Sequence, residues 1–357
     1  MYRLIKRMIR TILSNLWLNY QYIFRQKQVA VSVTKRNIIL FGVPNYPNLG
    51  DQAILVAEKK FIEKNFPDAN LIMISETDTA SCLWQIKSAI TSDDLIMYQG
   101  GGNTGSLYPL SERNRRFLIR KMNNQRIIIF PQSIFFEDNL VGRYEQCLSS
   151  KVYKQNSKLT LAVRENYSLT RAKIIFPTTK CILVPDIVFS LMGTLSNQPV
   201  HKLPQKALLV LRDDEESCLT APFKSELTAM LGKRFSTIST TDTMAQNVDV
   251  INDVNRMSLL NEKWAEFSEA DLVVTDRLHG MLFAILTERP CLVFANNNHK
   301  IESTISTWLQ DTERIKLVNT RSMQAIEKVI DDLKWQSKDD LRELEQKYVP
   351  LKKVIQG

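Results

Sequence analysis

From Asn37 onward the chain alternates short β-branched runs with stretches of helical period, and few architectures accommodate that alternation. The strand candidates of the first half are Ile38–Phe41, Leu71–Ile74, Leu95–Tyr98, Arg126–Phe130, Leu159–Val163 and Cys181–Val184. Those of the second half are Ala207–Leu211, Phe235–Ile238, Asp271–Thr275, Cys291–Ala295 and Ile315–Val318. Runs such as Ile127–Phe130 are apolar at consecutive positions, so both faces of the strand must be covered, as in a parallel sheet flanked by helices. Helical patterns, for example Gln52–Asn65 and Asn139–Ser149, fill the intervals. Residues 193–205 carry two prolines, a glycine and no period, and read as a linker. The expected fold is therefore α/β, with two Rossmann-like doubly wound domains, 37–192 and 206–320, facing a cleft. A helical tail spans 321–357. Ligands of such open sheets bind outside the carboxyl ends of the strands, so residues at strand tips are the candidates for function.

Composition matters mainly through where the charge lies. The net charge is +9, but residues 1–36 hold eight basic side chains and no acid, which leaves the rest of the chain at +1. A nucleic-acid-binding surface spread over the fold is thus not expected, the basic N-terminal tail being the one place left for such contacts, and no nucleic-acid partner is assigned. Within residues 1–36, Leu4, Ile5, Met8, Ile9, Ile12, Leu13, Leu16, Trp17 and Tyr20 recur at helical spacing, with Arg3, Lys6, Arg7 and Arg10 on a neighbouring flank. The apolar runs are too short to span a bilayer and no cleavage site follows them. Two readings stand: an amphipathic element lying on an anionic membrane surface, or a face packed on the protein. The five cysteines form no CxxC pair or Cys/His cluster, so neither a metal site nor a disulfide framework is expected. They read as reduced, mostly buried thiols of a cytoplasmic protein, peripheral to the membrane if the first helix docks there.

Four strand tips carry unusual residues. After the first strand come Asn48-Leu-Gly50-Asp51-Gln-Ala, a turn feeding a helix, with Asp51 the expected N-cap and Gly50 allowing close backbone approach. After Leu95–Tyr98 come Gln99-Gly-Gly101-Gly102-Asn103, a triple glycine with neither a Walker nor a dinucleotide pattern. After Asp271–Thr275 come Asp276-Arg277-Leu-His279-Gly280. There Arg277 and His279, one residue apart, are expected to share one side of an extended chain, an anion fork beside a proton-transfer group. The neighbouring strand leads to Lys300, and Arg164, Glu165 and Arg212 occupy further tips. Several cations converging on one edge suit a small polyanionic substrate.

Taken in order, Asn48-Leu-Gly-Asp51-Gln-Ala, Gly100-Gly-Gly-Asn103, Phe130-Pro-Gln-Ser133, Arg164-Glu165, Pro185-Asp186 and Arg277-Leu-His279-Gly280 with Lys300 resemble the polysaccharide pyruvyl transferases. The resemblance spans roughly residues 37–300; a departure is Tyr46-Pro47, which stiffens the first loop. It implies a GT-B-like arrangement and transfer of a pyruvyl group from phosphoenolpyruvate to a sugar of an exopolysaccharide or cell-surface glycan precursor, forming a ketal. Phosphoenolpyruvate would be a co-substrate, with no cofactor, and the acceptor a lipid-linked oligosaccharide or glycan. The roles that follow are His279, Arg277 and Asp51 catalytic, Lys300, Arg212 and Arg164 on the donor, and Asn48, Gly50, Gly101, Gly102, Asn103 and Glu165 on the acceptor. The competing readings are a GT-B glycosyltransferase using a nucleotide sugar and a non-catalytic membrane-associated scaffold of polysaccharide assembly.

Overall fold

A computed structural model describes residues 1–195, 205–213, 217–297, 299–333 and 341–356. The chain forms two compact units. The first comprises Met1–Asn45, Ile54–Ile187 and Lys347–Gly357; the second comprises Tyr46–Ala53 and Val188–Gln346. Residues 1–36 thus count with the first unit, and the expected linker 193–205 lies mostly outside the described residues.

In chain order the first unit contains α1 (Tyr2–Phe24), β1 (Asn37–Val43), most of α2 (Leu49–Asn65), β2 (Asn70–Ser75), α3 (Thr79–Ala89), β3 (Leu95–Tyr98), β4 (Gly101–Gly105), α4 (Pro109–Lys121), β5 (Ile127–Phe135), α5 (Leu140–Tyr153), β6 (Leu159–Val163), α6 (Asn166–Ile175) and β7 (Lys180–Leu183). The second contains β8 (Lys206–Val210), α7 (Ala221–Leu231), β9 (Thr237–Thr240), α8 (Arg256–Ser268), β10 (Leu272–Thr275), α9 (Leu278–Leu286), β11 (Cys291–Phe294), α10 (Lys300–Trp308), β12 (Ile315–Val318) and α11 (Met323–Asp331). The helical tail is shared: α11 packs in the second core, whereas α12 (Val349–Gln356) returns to the first unit, where the Tyr348 hydroxyl donates to the Asp186 carbonyl.

Every pairing within the two sheets is parallel. The first sheet runs β2-β1-β3-β5-β6-β7, with β4 an additional partner of β5, and the second runs β12-β11-β10-β8-β9. Setting β4 aside, both begin 2-1-3-4-5 in their own chain order, the doubly wound arrangement. The expectation of a mixed α/β chain with two Rossmann-like parallel sheets is met. The physical cause is the one read from the sequence: β3, β6, β10 and β11 are buried at every position. Alternate residues of the first sheet, Ile39, Phe41, Ile96, Tyr98, Ile127, Ile129 and Leu161, share one core cluster, and Ala207, Leu209, Leu272, Val274, Leu292 and Phe294 do so in the second unit.

Local expectations need correction in three places. The triple-glycine stretch is not wholly a loop, because Gly101–Gly105 forms a strand against β5. A Cβ on Gly105 would lie 1.7 Å from the Phe135 carbonyl oxygen, so the missing side chain is what permits the pairing. Strand β9 starts at Thr237 and not Phe235, whose ring is buried (4% exposed) just ahead of the strand. The cysteines are not mostly buried: Cys82 and Cys291 are, Cys181 and Cys218 are half-buried, and Cys147 is exposed. Among the described residues no helix is long and apolar enough to cross a membrane.

Candidate active site

In the second sheet the strand order reverses between β8 and β10, which are neighbours although β9 separates them in sequence. Loops leaving the carboxyl ends of such strands diverge and open a crevice, the usual ligand position of a doubly wound sheet. The two exits are tied together. Thr275 at the tip of β10 donates its hydroxyl to the Val210 carbonyl at 2.8 Å and accepts the Arg277 amide at 3.0 Å. The next residue, Asp276, is fully buried and accepts the Arg212 amide at 2.8 Å and the Ser217 hydroxyl at 3.3 Å. Burial pushes its carboxyl above the ordinary carboxylate range, and the amide of Arg212 opposes the shift. Asp276 thereby brings the backbone of Arg212 beside that of Arg277.

Arg277 and His279 do not lie on one side of an extended chain as expected. The backbone is extended at Arg277 (φ −106°, ψ 132°), the N-cap residue of α9, and helical from Leu278, which puts His279 in the first helical turn. Gly280 makes this turn possible: a Cβ there would lie 2.4 Å from the Thr275 hydroxyl oxygen, so only glycine lets α9 start against the strand tip. The Arg277 guanidinium donates to Asp242 at 2.8 Å, and the other oxygen of Asp242 accepts the Met244 amide at 3.0 Å.

Asp242 connects this group to the first motif, since Tyr46–Ala53 belongs to the same unit. Asn48 forms an antiparallel bridge with Met244, the Leu49 amide donates to the Thr243 carbonyl at 2.8 Å, and the Ala245 amide donates to that of Pro47 at 2.7 Å. Arg256 adds a hydrogen bond to the Gln52 side chain at 2.6 Å. The N-cap of α2 is Asn48 and not Asp51. The Asn48 side-chain oxygen accepts the Gly50 amide at 2.9 Å, and Asp51 sits within the first turn, where a carboxylate favours the helix N-terminus. Gly50 then meets His279: a Cβ on Gly50 would lie 2.2 Å from His279 Nδ1 and 2.4 Å from its Cγ. The imidazole therefore rests directly on the backbone of the first motif, with Asp51 the next residue along.

Lys300 opens α10, beyond the tip of β11 and the left-handed His299 (φ +59°), and is 8% exposed. Because β11 neighbours β10 in register, with Thr275 opposite Val293, Lys300 follows the strand adjacent to the one that leads to Arg277. Within the second unit the fold thus assembles Asn48, Gly50, Asp51, Arg277 and His279, with Arg212 and Lys300 on loops from the same sheet edge. Asp242 and Asp276 are additions that motif reading missed. Asp276 directly precedes Arg277 and was within reach of it, whereas Asp242 stands in no recognisable pattern.

The remaining sequence candidates belong to the first unit. Asn103 accepts a hydrogen bond from Arg115, whose guanidinium also donates to Thr104 at 3.0 Å, pairs with Glu112 and lies over the Tyr98 ring at 4.7 Å. The Gly100 amide donates to Glu58 at 2.7 Å. Arg164 and Glu165 are interior groups, 2% and 0% exposed. Arg164 pairs with Asp186 at 2.5 Å and donates to Ser133 at 2.8 Å, and the Ser133 hydroxyl donates to Glu165 at 2.9 Å. Among the described residues no group of three or more His, Cys, Asp or Glu is arranged to hold a metal ion.

Residues 48–298 match the polysaccharide pyruvyl transferase family. "General stress protein 30" of Bacillus subtilis is 35% identical over 317 residues, 89% of this chain and 90% of that protein. "Pyruvyl transferase 1" of Schizosaccharomyces pombe is 32% identical over 285 residues, 77% of this chain and 70% of that one. An uncharacterized protein of Klebsiella pneumoniae, known as a crystal structure, shares the fold with a TM-score of 0.54 at 18% identity, covering 87% of this chain and 98% of its own. The Asn48–Asp51 and Arg277–Gly280 motifs, joined through Gly50, His279 and Asp242, fall inside the matched segment, and the chain belongs to the polysaccharide pyruvyl transferase family.

Proposed function

We propose that the protein transfers the pyruvyl group of phosphoenolpyruvate to a sugar of a cell-surface glycan precursor, forming a cyclic ketal. The observation that carries this reading is the seating of His279 on Gly50 beside an Arg277 held by Asp242, at the reversal point of a parallel sheet. Phosphoenolpyruvate presents a carboxylate and a phosphate, and Arg277, Lys300 and Arg212 supply cations on loops of one sheet edge. The reaction needs a proton at the vinyl C3, and His279 is the group suited to deliver it. Protonation leaves C2 electron-poor. A sugar hydroxyl adds there and gives up its proton, with Asp51 as the base. The C2–O bond to phosphate then breaks, and a second hydroxyl closes the ring and passes its proton to the departing phosphate, so that one phosphoenolpyruvate and one diol yield one ketal and one inorganic phosphate.

For sugar hydroxyls the reading keeps Asn48 and Gly50 in the second unit and, separately, Gly101, Gly102 and Asn103 in the first. With the Asn48 side-chain oxygen engaged by the Gly50 amide and that of Asn103 by Arg115, the amide N–H groups of both are the ends assigned to sugar hydroxyls. Arg164 and Glu165 are assigned a bracing role in the first unit in place of direct substrate contact, because their charges meet Asp186 and Ser133 in its interior.

The test is incubation of the full chain with phosphoenolpyruvate and lipid-linked or free oligosaccharides, followed by phosphate release and mass spectrometry. The expected product is heavier than the acceptor by about 70 Da, pyruvate less water. His279→Ala should lower turnover by about 10²–10⁴-fold. A hexosyl gain from nucleotide sugars, or full turnover by His279→Ala, overturns the reading.

A further inference from the structure

The first helix is attached to its unit by the edge that carries Arg7, Thr11, Ser14 and Asn15 together with Leu18 and Tyr22. Thr11 and Leu18 are buried, while Arg7 donates to the Ser106 carbonyl at 3.2 Å and approaches Glu145 at 3.7 Å. Arg113 of α4 donates to the Ser14 hydroxyl at 3.0 Å and Arg120 to the Asn15 side chain at 2.9 Å. Tyr22 meets Phe117 edge-on, with centroids 6.0 Å apart. Arg7, expected on the basic flank, is therefore an anchor turned toward the unit. The consequence falls on the opposite face. Ile9, Leu13, Leu16, Trp17, Ile23 and Phe24 are 52–70% exposed, although they are the most apolar residues of the helix. A helix that only completed the core would be turned the other way.

We infer that this outward face of α1 is a docking surface for an anionic phospholipid bilayer. Charge selects the occupant. Residues 1–36 contain no acid, and the exposed Arg3, Lys6 and Arg10 flank the apolar arc at its N-terminal end. Trp17, Tyr20 and Phe24 add an aromatic row, with successive centroids 5.5 and 5.4 Å apart, of the kind that settles at the level of lipid headgroups. A second copy seated on this face would bring the same three cations against a surface that offers no carboxylate from its own helix. An anionic leaflet satisfies both the apolar arc and its basic border.

The inference goes beyond the proposed chemistry, and its test uses neither phosphoenolpyruvate nor sugar. The full chain is sedimented with phosphatidylcholine vesicles, with and without phosphatidylglycerol, at low and high salt. Binding should require phosphatidylglycerol and weaken with salt. Arg3→Gln/Lys6→Gln/Arg10→Gln should weaken it on the order of a hundredfold. Leu13→Ser/Leu16→Ser/Trp17→Ser should remove it, with the thermal midpoint unchanged because these side chains are exposed. A wild-type chain that stays in the supernatant overturns the inference, as does binding that survives both triple changes. Light scattering decides the rival occupant: a dimer broken by the Leu13/Leu16/Trp17 change, without vesicle binding, assigns the face to a second copy.

Discussion

The two sheets share a strand order, and both units bury charge, the second at Asp276 and Lys300, but the motif residues Arg277 and His279 are held differently from Arg164 and Glu165. In the first unit a set of charged residues on α4, α5 and the loops after β6 and β7 is interior: Glu112, Arg115, Glu145, Arg164, Glu165 and Asp186 are each no more than 2% exposed and pair among themselves or with α4 arginines. In the second unit Arg277 and His279 keep some exposure, and Asp242 is 36% exposed. One topology therefore supports two uses of a strand tip. Buried pairs hold a framework in one register, and they cost heavily when one partner is removed. Partly exposed groups give little to stability and remain able to meet a ligand.

The largest expected effect tests this contrast directly. Arg164→Met leaves Asp186 without its cation in the interior and should lower unfolding free energy by about 3–5 kcal/mol. Arg277→Met should change it by no more than about 1 kcal/mol while abolishing turnover. Urea denaturation of the two variants measures both, and equal losses would erase the distinction. Next in size is Gly50→Ala. Its Cβ must displace the His279 ring, so kcat/KM should drop about a hundredfold. Stability should fall by about 1–3 kcal/mol, since the new Cβ would also lie 2.9 Å from His279 Cβ and the packing there must shift; full activity in this variant would separate His279 from the chemistry. A smaller effect is expected of Asp242→Asn, which keeps a hydrogen bond to Arg277 but not the charge. KM for phosphoenolpyruvate should rise up to about fivefold, equivalent to about 1 kcal/mol, and kcat should hold.

The smallest effect concerns pH. The Asp276 carboxyl is raised by burial in the native state, so the folded chain binds its proton more tightly than the unfolded chain does. Stability therefore falls as pH rises from the ordinary aspartate pKa of about 3.9 through the raised native value. Asp276→Asn should remove that slope. The variant should match or exceed the wild-type melting temperature at neutral pH and lose its advantage below about pH 4. Parallel melting profiles across that range would show that Asp276 is charged at little cost.

All eleven strand candidates overlap an observed strand because continuous apolar runs are a strong local signal; Phe235–Ile238 starts two residues early because the Phe235 ring serves the core from just outside β9. Strand β4 was illegible because glycine has no side chain to mark a sheet, although its absence of bulk is what lets β4 lie on β5. Arg277, His279 and Gly50 were legible as motif residues. Their mutual geometry was not, since Gly50 and His279 are 229 positions apart. The misplaced N-cap is a local failure: Asn48 and Asp51 are both good caps, and the bridge from Asn48 to Met244, a long-range contact, favours the earlier one. Asp242 shows the same limit, as nothing near it in sequence announces a partner for Arg277.

The second unit is assembled from two separated stretches of chain, with Tyr46–Ala53 inserted ahead of Val188–Gln346. A fragment spanning residues 188–346 would carry the whole sheet and both Arg277 and His279, yet it would lack the backbone on which the imidazole rests. The halves are thus not interchangeable cassettes, and a chimera cut at the linker would exchange a histidine without its seat. During synthesis the order is fixed in the same way. The first stretch must wait for β10 and α9 to emerge before it finds its place, so the site is completed only once nearly the whole matched segment has left the ribosome.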